Sequence, residues 1–254
     1  MHKFFAKTSF IGQNSLFLPK CHSTNQYMKT LLQDNASLPN GYIVSTPHQY
    51  DGKGQRGSKW VGEEGKSLAV SIYMKASFVK VAEVFDINMI ASLAVMEAVK
   101  NETGIQPQLK WPNDLLINEE KFVGILVETV FSGTKLKHIV IGIGVNVLNV
   151  RRPMKTATSL YLHGYRSSGT EPLLREICES LEDLCNRFVL SKSQLRQIYQ
   201  QSILGFQRIR KFESSGEVFE GEIIGVDPEG RLNISTSNGV KSFNIKEVRY
   251  KLKG

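Results

Sequence analysis

The chain has 254 residues, is 41% hydrophobic and 22% charged, and carries a formal net charge of +8. That length supports one large domain, or a large one and a small one, with a sizeable core, and the composition is that of an ordinary globular protein. No apolar run is long enough to cross a bilayer, and Met1-His2-Lys3-Phe4-Phe5 opens no signal peptide, so a cytoplasmic protein without membrane partners is expected.

Cys178 and Cys185 stand seven apart on a predicted helix, about 10 Å between Cα atoms and too far to bridge. Cys21 has no His/Cys cluster beside it, so three free thiols are expected. The positive charge fits a protein that handles a nucleotide, an acidic partner or nucleic acid. Lysines and arginines are spread along the chain without a basic tail or an aromatic-basic stripe, which argues against the last.

Residues 15–18 predict a first strand. His22-Ser23-Thr24-Asn25 precedes Tyr27, Met28, Leu31 and Leu32 at helical spacing, so Ser23 or Thr24 caps a helix from about 24 to 34. Its first amides point outward and could receive a carbonyl or an anion, although capping alone explains the tripeptide. Residues 41–46 read as a strand running into a loop in which Gly52, Gly54 and Gly57 interleave with Lys53, Arg56 and Lys59. Such a mobile cationic loop can lay N–H groups and charge along a polyphosphate, but it is neither a P-loop nor a dinucleotide fingerprint.

Residues 68–74 alternate as a strand, and Val81, Val84, Phe85, Met89, Leu93, Met96 and Val99 mark a core-packing helix ending before Gly104. Residues 109–128 follow and organise the chain. Apolar runs at 115–117 and 122–127 predict strands joined by a turn at Asn118, Glu119 and Glu120. Pro112 holds Trp111 extended, which puts Lys110 at the end of an incoming strand and Asn113-Asp114 at a bend. Neither Lys110 nor Lys121 has a place in the apolar pattern beside it.

Residues 139–147 form an apolar strand broken by Gly142 and Gly144, a sign of close approach by a ligand or another backbone, with Asn146 its only polar side chain. Residues 149–158 read as a basic loop, and 173–188 and 193–204 as helices. Short strands at 209–212, 218–226, 231–235, 240–244 and 248–250, separated by turn signals, suggest a small β-barrel module. The expected division is 1–204 and 205–254.

These segments, in this order, resemble those of biotin–protein ligases: Ser23–Asn25, a loop at Gly52–Trp60 close to Gly-Arg-Gly-Arg-x-Gly-Arg-x-Trp, Lys110-Trp-Pro-Asn-Asp114, Lys121-x-x-Gly-Ile-Leu-x-Glu128 and Gly142-x-Gly-x-Asn146. The resemblance implies an α+β fold, a mixed sheet with flanking helices like the catalytic core of class II aminoacyl-tRNA synthetases, with a small SH3-like domain at the C-terminus. It implies activation of biotin by ATP to biotinyl-AMP, with Mg²⁺ on the leaving pyrophosphate, and transfer to a lysine of a biotin carboxyl carrier protein.

By the same resemblance Lys121 is the main catalytic lysine, Asp114 steers or deprotonates the acceptor lysine, and Arg56 closes over the acyl-phosphate with Lys53, Gly54 and Gln55. Ser23, Thr24, Asn25 and Gln49 hold the ureido ring, with Gly142 and Gly144 admitting backbone close to it. Lys110, Asn113, Asn146 and Trp60 face the nucleotide, Trp60 as a wall of the site or as core. No metal ligands are assigned, and a homodimer is left open.

The loop departs from the family pattern at Lys53, Gln55 and Ser58. Only some 14 residues precede the first core strand, so a ligase without a DNA-binding domain, and no operator DNA, is expected. The alternatives are a lipoate–protein ligase, whose substrate has no ureido group to meet Ser23–Asn25, and a non-enzymatic nucleic-acid-binding protein.

Overall fold

A computed structural model describes residues 6–34, 37–152 and 156–251; residues 1–5 and 153–155, which enter the expectations above, lie outside it. In chain order the elements are β1 (Ser15–Phe17), α1 (Thr24–Asp34), β2 (Ile43–Thr46), β3 (Ser67–Lys75), α2 (Val84–Thr103), β4 (Gln108–Lys110), β5 (Asp114–Ile117), β6 (Glu120–Ser132) and β7 (Lys135–Asn146). There follow α3 (Glu171–Leu190), α4 (Lys192–Ser202), β8 (Ile209–Ser214), β9 (Glu217–Val226), β10 (Leu232–Thr236), β11 (Gly239–Phe243) and β12 (Arg249–Tyr250). β1 to β7 form one sheet in the order β1-β2-β3-β7-β6-β5-β4, and β8 to β12 a second in the order β11-β10-β9-β8-β12. The first is mixed, because β1 runs parallel to β2 while the other pairs are antiparallel.

The period-2 pattern of β3 assigns its two faces. Leu68, Val70, Ile72 and Met74 join the main core with α2 and α3, and α2 is buried over most of its circumference. It ends where Gly104 takes φ +73° and donates its N–H to Lys100 O. The helix begins three residues later than expected, since Val81 lies in a one-turn 3-10 segment and is 52% exposed.

The opposite face of the sheet carries the site. Antiparallel register places Ser71 beside Gly142 and Gly142 beside Leu126; one row further on, Ala69, Gly144 and Gly124 line up in the same way. Ser71, Ala69 and the three glycines thus leave a trough, and α1 closes one end of it with Met28 packed on Tyr73 and Val140. β6 and β7 run well past their apolar stretches through Thr129, Lys135 and Lys137, polar residues that hid their length.

The β5–β6 hairpin turns at Asn118 and Glu119, both at positive φ, as a two-residue type I′ turn requires. Asp114 is the first residue of β5, paired with Lys110, and not part of a bend as expected. The second sheet shares a continuous buried cluster with the first, including Leu109, Trp111, Ile223, Ile234 and Tyr250. Trp111 Nε1 donates to Gly230 O and Tyr199 Oη to Pro112 O, which pins the corner at residues 111–113 from both sides. All three cysteines are free and buried; burial pushes the Cys185 thiol up to about 12. Among the described residues no helix is long and apolar enough to cross a membrane.

Candidate active site

A cavity of about 580 Å³ opens over the trough, and its wall includes every predicted site residue except Arg56, whose side chain lies outside the description. At one end the start of α1 meets β3. Ser23, Thr24 and Asn25 are all buried. The N–H of Thr24, the first helical residue, donates to Gln49 Oε1 at 2.8 Å, so the helix is capped by Gln49 and not by its own serine or threonine. Thr24 Oγ1 lies 3.1 Å from the same oxygen and 2.7 Å from Ser71 Oγ. Asn25 reaches down to Ser71 on one side and Glu128 on the other.

The two strand glycines do mark a close approach, and the protein atoms that make it are side chains, not backbone. A Cβ on Gly142 would overlap the Asn25 carboxamide, and one on Gly144 would overlap the Trp60 indole. Side chains of the chain itself therefore occupy the space the glycines open. Trp60 lies across Gly144 and Gly124 as a wall of the site, between the Asn25 row and the hairpin.

The loop leading to Trp60 is closed on itself by Trp60 N–H to Gly52 O, Gly54 N–H to Ser58 O and Ser58 Oγ to Gln55 O. Lys53 bridges Lys59, and residues Gln55–Gly57 form one 3-10 turn.

Lys121 owes its direction to an irregularity in the hairpin. Register shifts between Leu115 and Leu116, so Leu115 opposes Val123 but Leu116 opposes Lys121. Lys121 and Gly124 are three apart and would face opposite sides of a regular strand. With the shift, Phe122 and Val123 are both fully buried, and Lys121 Nζ stands 2.5 Å from Asp114 Oδ1 and 5.9 Å from the Trp60 ring centroid. The lysine therefore broke the apolar pattern because the strand itself is irregular there.

Asn113 and Asn146 line the cavity but are engaged internally: Asn113 Nδ2 donates to Ile125 O, and Asn146 Nδ2 to Thr158 O. Lys53, Lys59, Lys110, Lys121, Lys246 and Arg249 line the cavity, against Asp114 as the one carboxylate among its described lining residues. That charge balance suits a polyphosphate.

Sequence reasoning missed several contributors. Ser71 was hidden in an apolar strand, and Glu128 was legible only as the end of the Lys121–Glu128 motif. Thr156 and Ala157 run beside Lys121 through Lys121 N–H to Thr156 O and Thr158 N–H to Lys121 O, and Ile245, Lys246, Val248, Arg249 and Tyr250 from the end of the second sheet face the same cavity. No group of three or more His, Cys, Asp or Glu side chains suited to a metal ion occurs among the described residues.

The mixed sheet thus bears, in one cationic cavity, a polar end, an indole wall and a lysine–aspartate pair. The Biotin/lipoate A/B protein ligase family matches residues 18–146, and the chain belongs to that family. It is 26% identical over 252 residues to the bifunctional ligase/repressor BirA of Bacillus subtilis, covering 97% of this chain and 77% of the relative. It is also 26% identical over 215 residues to the biotin–[acetyl-CoA-carboxylase] ligase of Mycobacterium tuberculosis, covering 83% and 79%. The fold is similar to that of the Aquifex aeolicus biotin protein ligase in complex with biotin and ATP, with a TM-score of 0.77 at 24% identity over 94% of this chain and all of that one.

Proposed function

We propose that the chain is an ATP-dependent biotin–protein ligase. The observation that carries this reading is the juxtaposition in one cavity of buried Ser23, Thr24 and Asn25, with Gln49 beside them, and the Lys121–Asp114 pair, separated by the Trp60 row. The Gly142 and Gly144 rows are two strand positions apart, about 7 Å. An elongated ligand with a polar ring at one end and a carboxylate at the other spans them.

In the first step a carboxylate oxygen of biotin attacks the α-phosphorus of ATP, and pyrophosphate leaves. Two anions must approach, so alignment and charge compensation dominate the barrier. Lys121 supplies a positive charge where the carboxylate and α-phosphate meet, and Asp114 holds that ammonium in place. Lys53, Lys59, Lys110 and Arg249 face the phosphates. In the second step the amine of a carrier lysine attacks the acyl carbon, AMP leaves, and an amide forms. Asp114, at the cavity wall, receives or steers the incoming ammonium.

Mg²⁺ brings charge neutralisation at the leaving pyrophosphate. Among the described lining residues Asp114 is the one carboxylate, so the ion would depend chiefly on the phosphates for its ligands. The second partner is a biotin carboxyl carrier protein, in keeping with the carboxylase named for the mycobacterial relative. The test is mass spectrometry of a carrier domain incubated with the chain, MgATP and either biotin or lipoate. Addition of biotin to one lysine is expected; lipoylation in its place would assign the other branch of the family.

A further inference from the structure

Asn25 is committed on both sides of its carboxamide. Nδ2 donates to Glu128 Oε2 at 2.9 Å and to Leu126 O at 3.3 Å, while Ser71 Oγ lies 2.5 Å from Oδ1. The other oxygen of Glu128 accepts from Lys29 Nζ at 2.8 Å. A carboxylate and a backbone carbonyl only accept, so together they decide which end of the carboxamide carries nitrogen.

The order then propagates inward. Asn25 Oδ1 brings no proton, so the single hydroxyl proton of buried Ser71 is directed to it. With the Ser71 proton so committed, the one hydroxyl proton of Thr24 faces two acceptors, Ser71 Oγ at 2.7 Å and Gln49 Oε1 at 3.1 Å. Both acceptors are protein atoms, so Thr24 turns its proton to the wall and a lone pair to the cavity, while Gln49 Oε1 also takes the Thr24 backbone N–H.

We propose that Glu128, anchored by Lys29, is a positioning residue that sets the hydrogen-bond polarity of the ring-binding end of the cavity through Asn25, Ser71 and Thr24. The inference rests on biotin being the substrate. A cyclic urea presents one acceptor and two donors in fixed places, and a wall with one reversed group rejects it. Glu128 is outside the cavity wall and touches no reacting atom. Its pair with Lys29 is part-exposed, 31% and 27%, where an ion pair adds little to stability; orientation is what it supplies.

The test compares Glu128→Leu, Glu128→Gln and Ser71→Ala in the full chain, by initial rates of biotin-dependent pyrophosphate release and by melting temperature. Leucine removes the acceptor, so KM for biotin should rise about tenfold, the effect of one lost hydrogen bond, while KM for ATP stays within about twofold. Glutamine still offers Asn25 one oxygen and should keep KM for biotin near the wild-type value. Ser71→Ala breaks the same chain inside the core and should reproduce the leucine effect, which decides the matter if Glu128→Leu does not fold.

An unchanged biotin KM in the leucine and alanine variants overturns the inference. So does glutamine failing as badly as leucine, or both KM values rising together with a lower melting temperature. A wild-type chain that releases no pyrophosphate with biotin overturns the function and the inference with it; wild-type turnover with unmoved variants overturns the inference alone.

Discussion

Lys121 Nζ stands 2.5 Å from Asp114 Oδ1, although the two residues lie on adjacent strands of a hairpin and are not opposite each other in its ladder. The register shift at Leu115/Leu116 brings them to one side, and the ion pair holds the ammonium over the cavity. Lys121→Ala should leave the fold intact and slow adenylate formation on the order of 10²–10⁴-fold, the usual loss for one charged transition-state contact. Lys121→Arg should recover little of it, because a planar fork does not replace a compact ammonium. Near-wild-type pyrophosphate exchange in Lys121→Ala would remove the lysine from the chemistry.

Gly144 and Gly124 make a graded pair. A Cβ at Gly144 would overlap the Trp60 indole, whereas one at Gly124 would stand 3.2 Å from its edge and 3.1 Å from Lys121 Nζ, a flexible side-chain end. Gly144→Ala should therefore displace the wall and cost about 1–3 kcal/mol of stability, with Gly124→Ala costing less. Urea unfolding and the tryptophan emission of Trp60 report both effects. Equal losses from the two variants would mean that Trp60 does not rest on Gly144.

The loop closed by Gly52, Gly54 and Ser58 sets up a comparison of neighbours. Retaining a reactive acyl-adenylate there depends on contacts to its phosphate, and a charged hydrogen bond contributes roughly 1.5–3 kcal/mol against about 1 for a neutral one. Arg56→Ala should release more intermediate than Gln55→Ala, and Gln55→Arg should release less than wild type. The readout is biotin appearing on a lysine-rich bystander protein without carrier. Equal leakage from the two alanine variants would place the hold elsewhere.

Glu182 gives a stability signature away from the site. Burial pushes its carboxyl up, but N–H groups of Ser9, Phe10 and Ile11, at 2.5, 3.0 and 3.0 Å, outweigh that and hold it below its ordinary 4.5. A depressed folded-state value means the stabilisation is complete above the unfolded value and is lost as pH falls through the folded one. Glu182→Gln should cost about 1–3 kcal/mol at neutral pH, because one buried N–H or more loses its acceptor, and the gap to wild type should shrink in acid. A gap that stays constant down to low pH in urea titrations would contradict the assignment.

The parts legible in the sequence were those whose cause is local. Asn118 and Glu119 marked the hairpin, Gly104 the end of α2, and the Lys110–Asp114 and Lys121–Glu128 segments the site. What stayed hidden depends on partners far along the chain. Ser71 becomes polar machinery only because Thr24 and Asn25 settle on it, and Gly230 supports Trp111 from 119 residues away. The glycines of β7 announced a close approach, but not whether ligand or protein makes it. The register shift that aims Lys121 shows in the sequence only as a lysine out of step with the apolar pattern around it.

The central claim is that this cavity joins a biotin carboxylate to the α-phosphate of ATP. Exchange of labelled pyrophosphate into ATP, with no carrier protein present, reads that step alone. The account predicts exchange that requires biotin, is absent with lipoate and is lost in Lys121→Ala. Exchange driven by lipoate, or by neither acid, would contradict it.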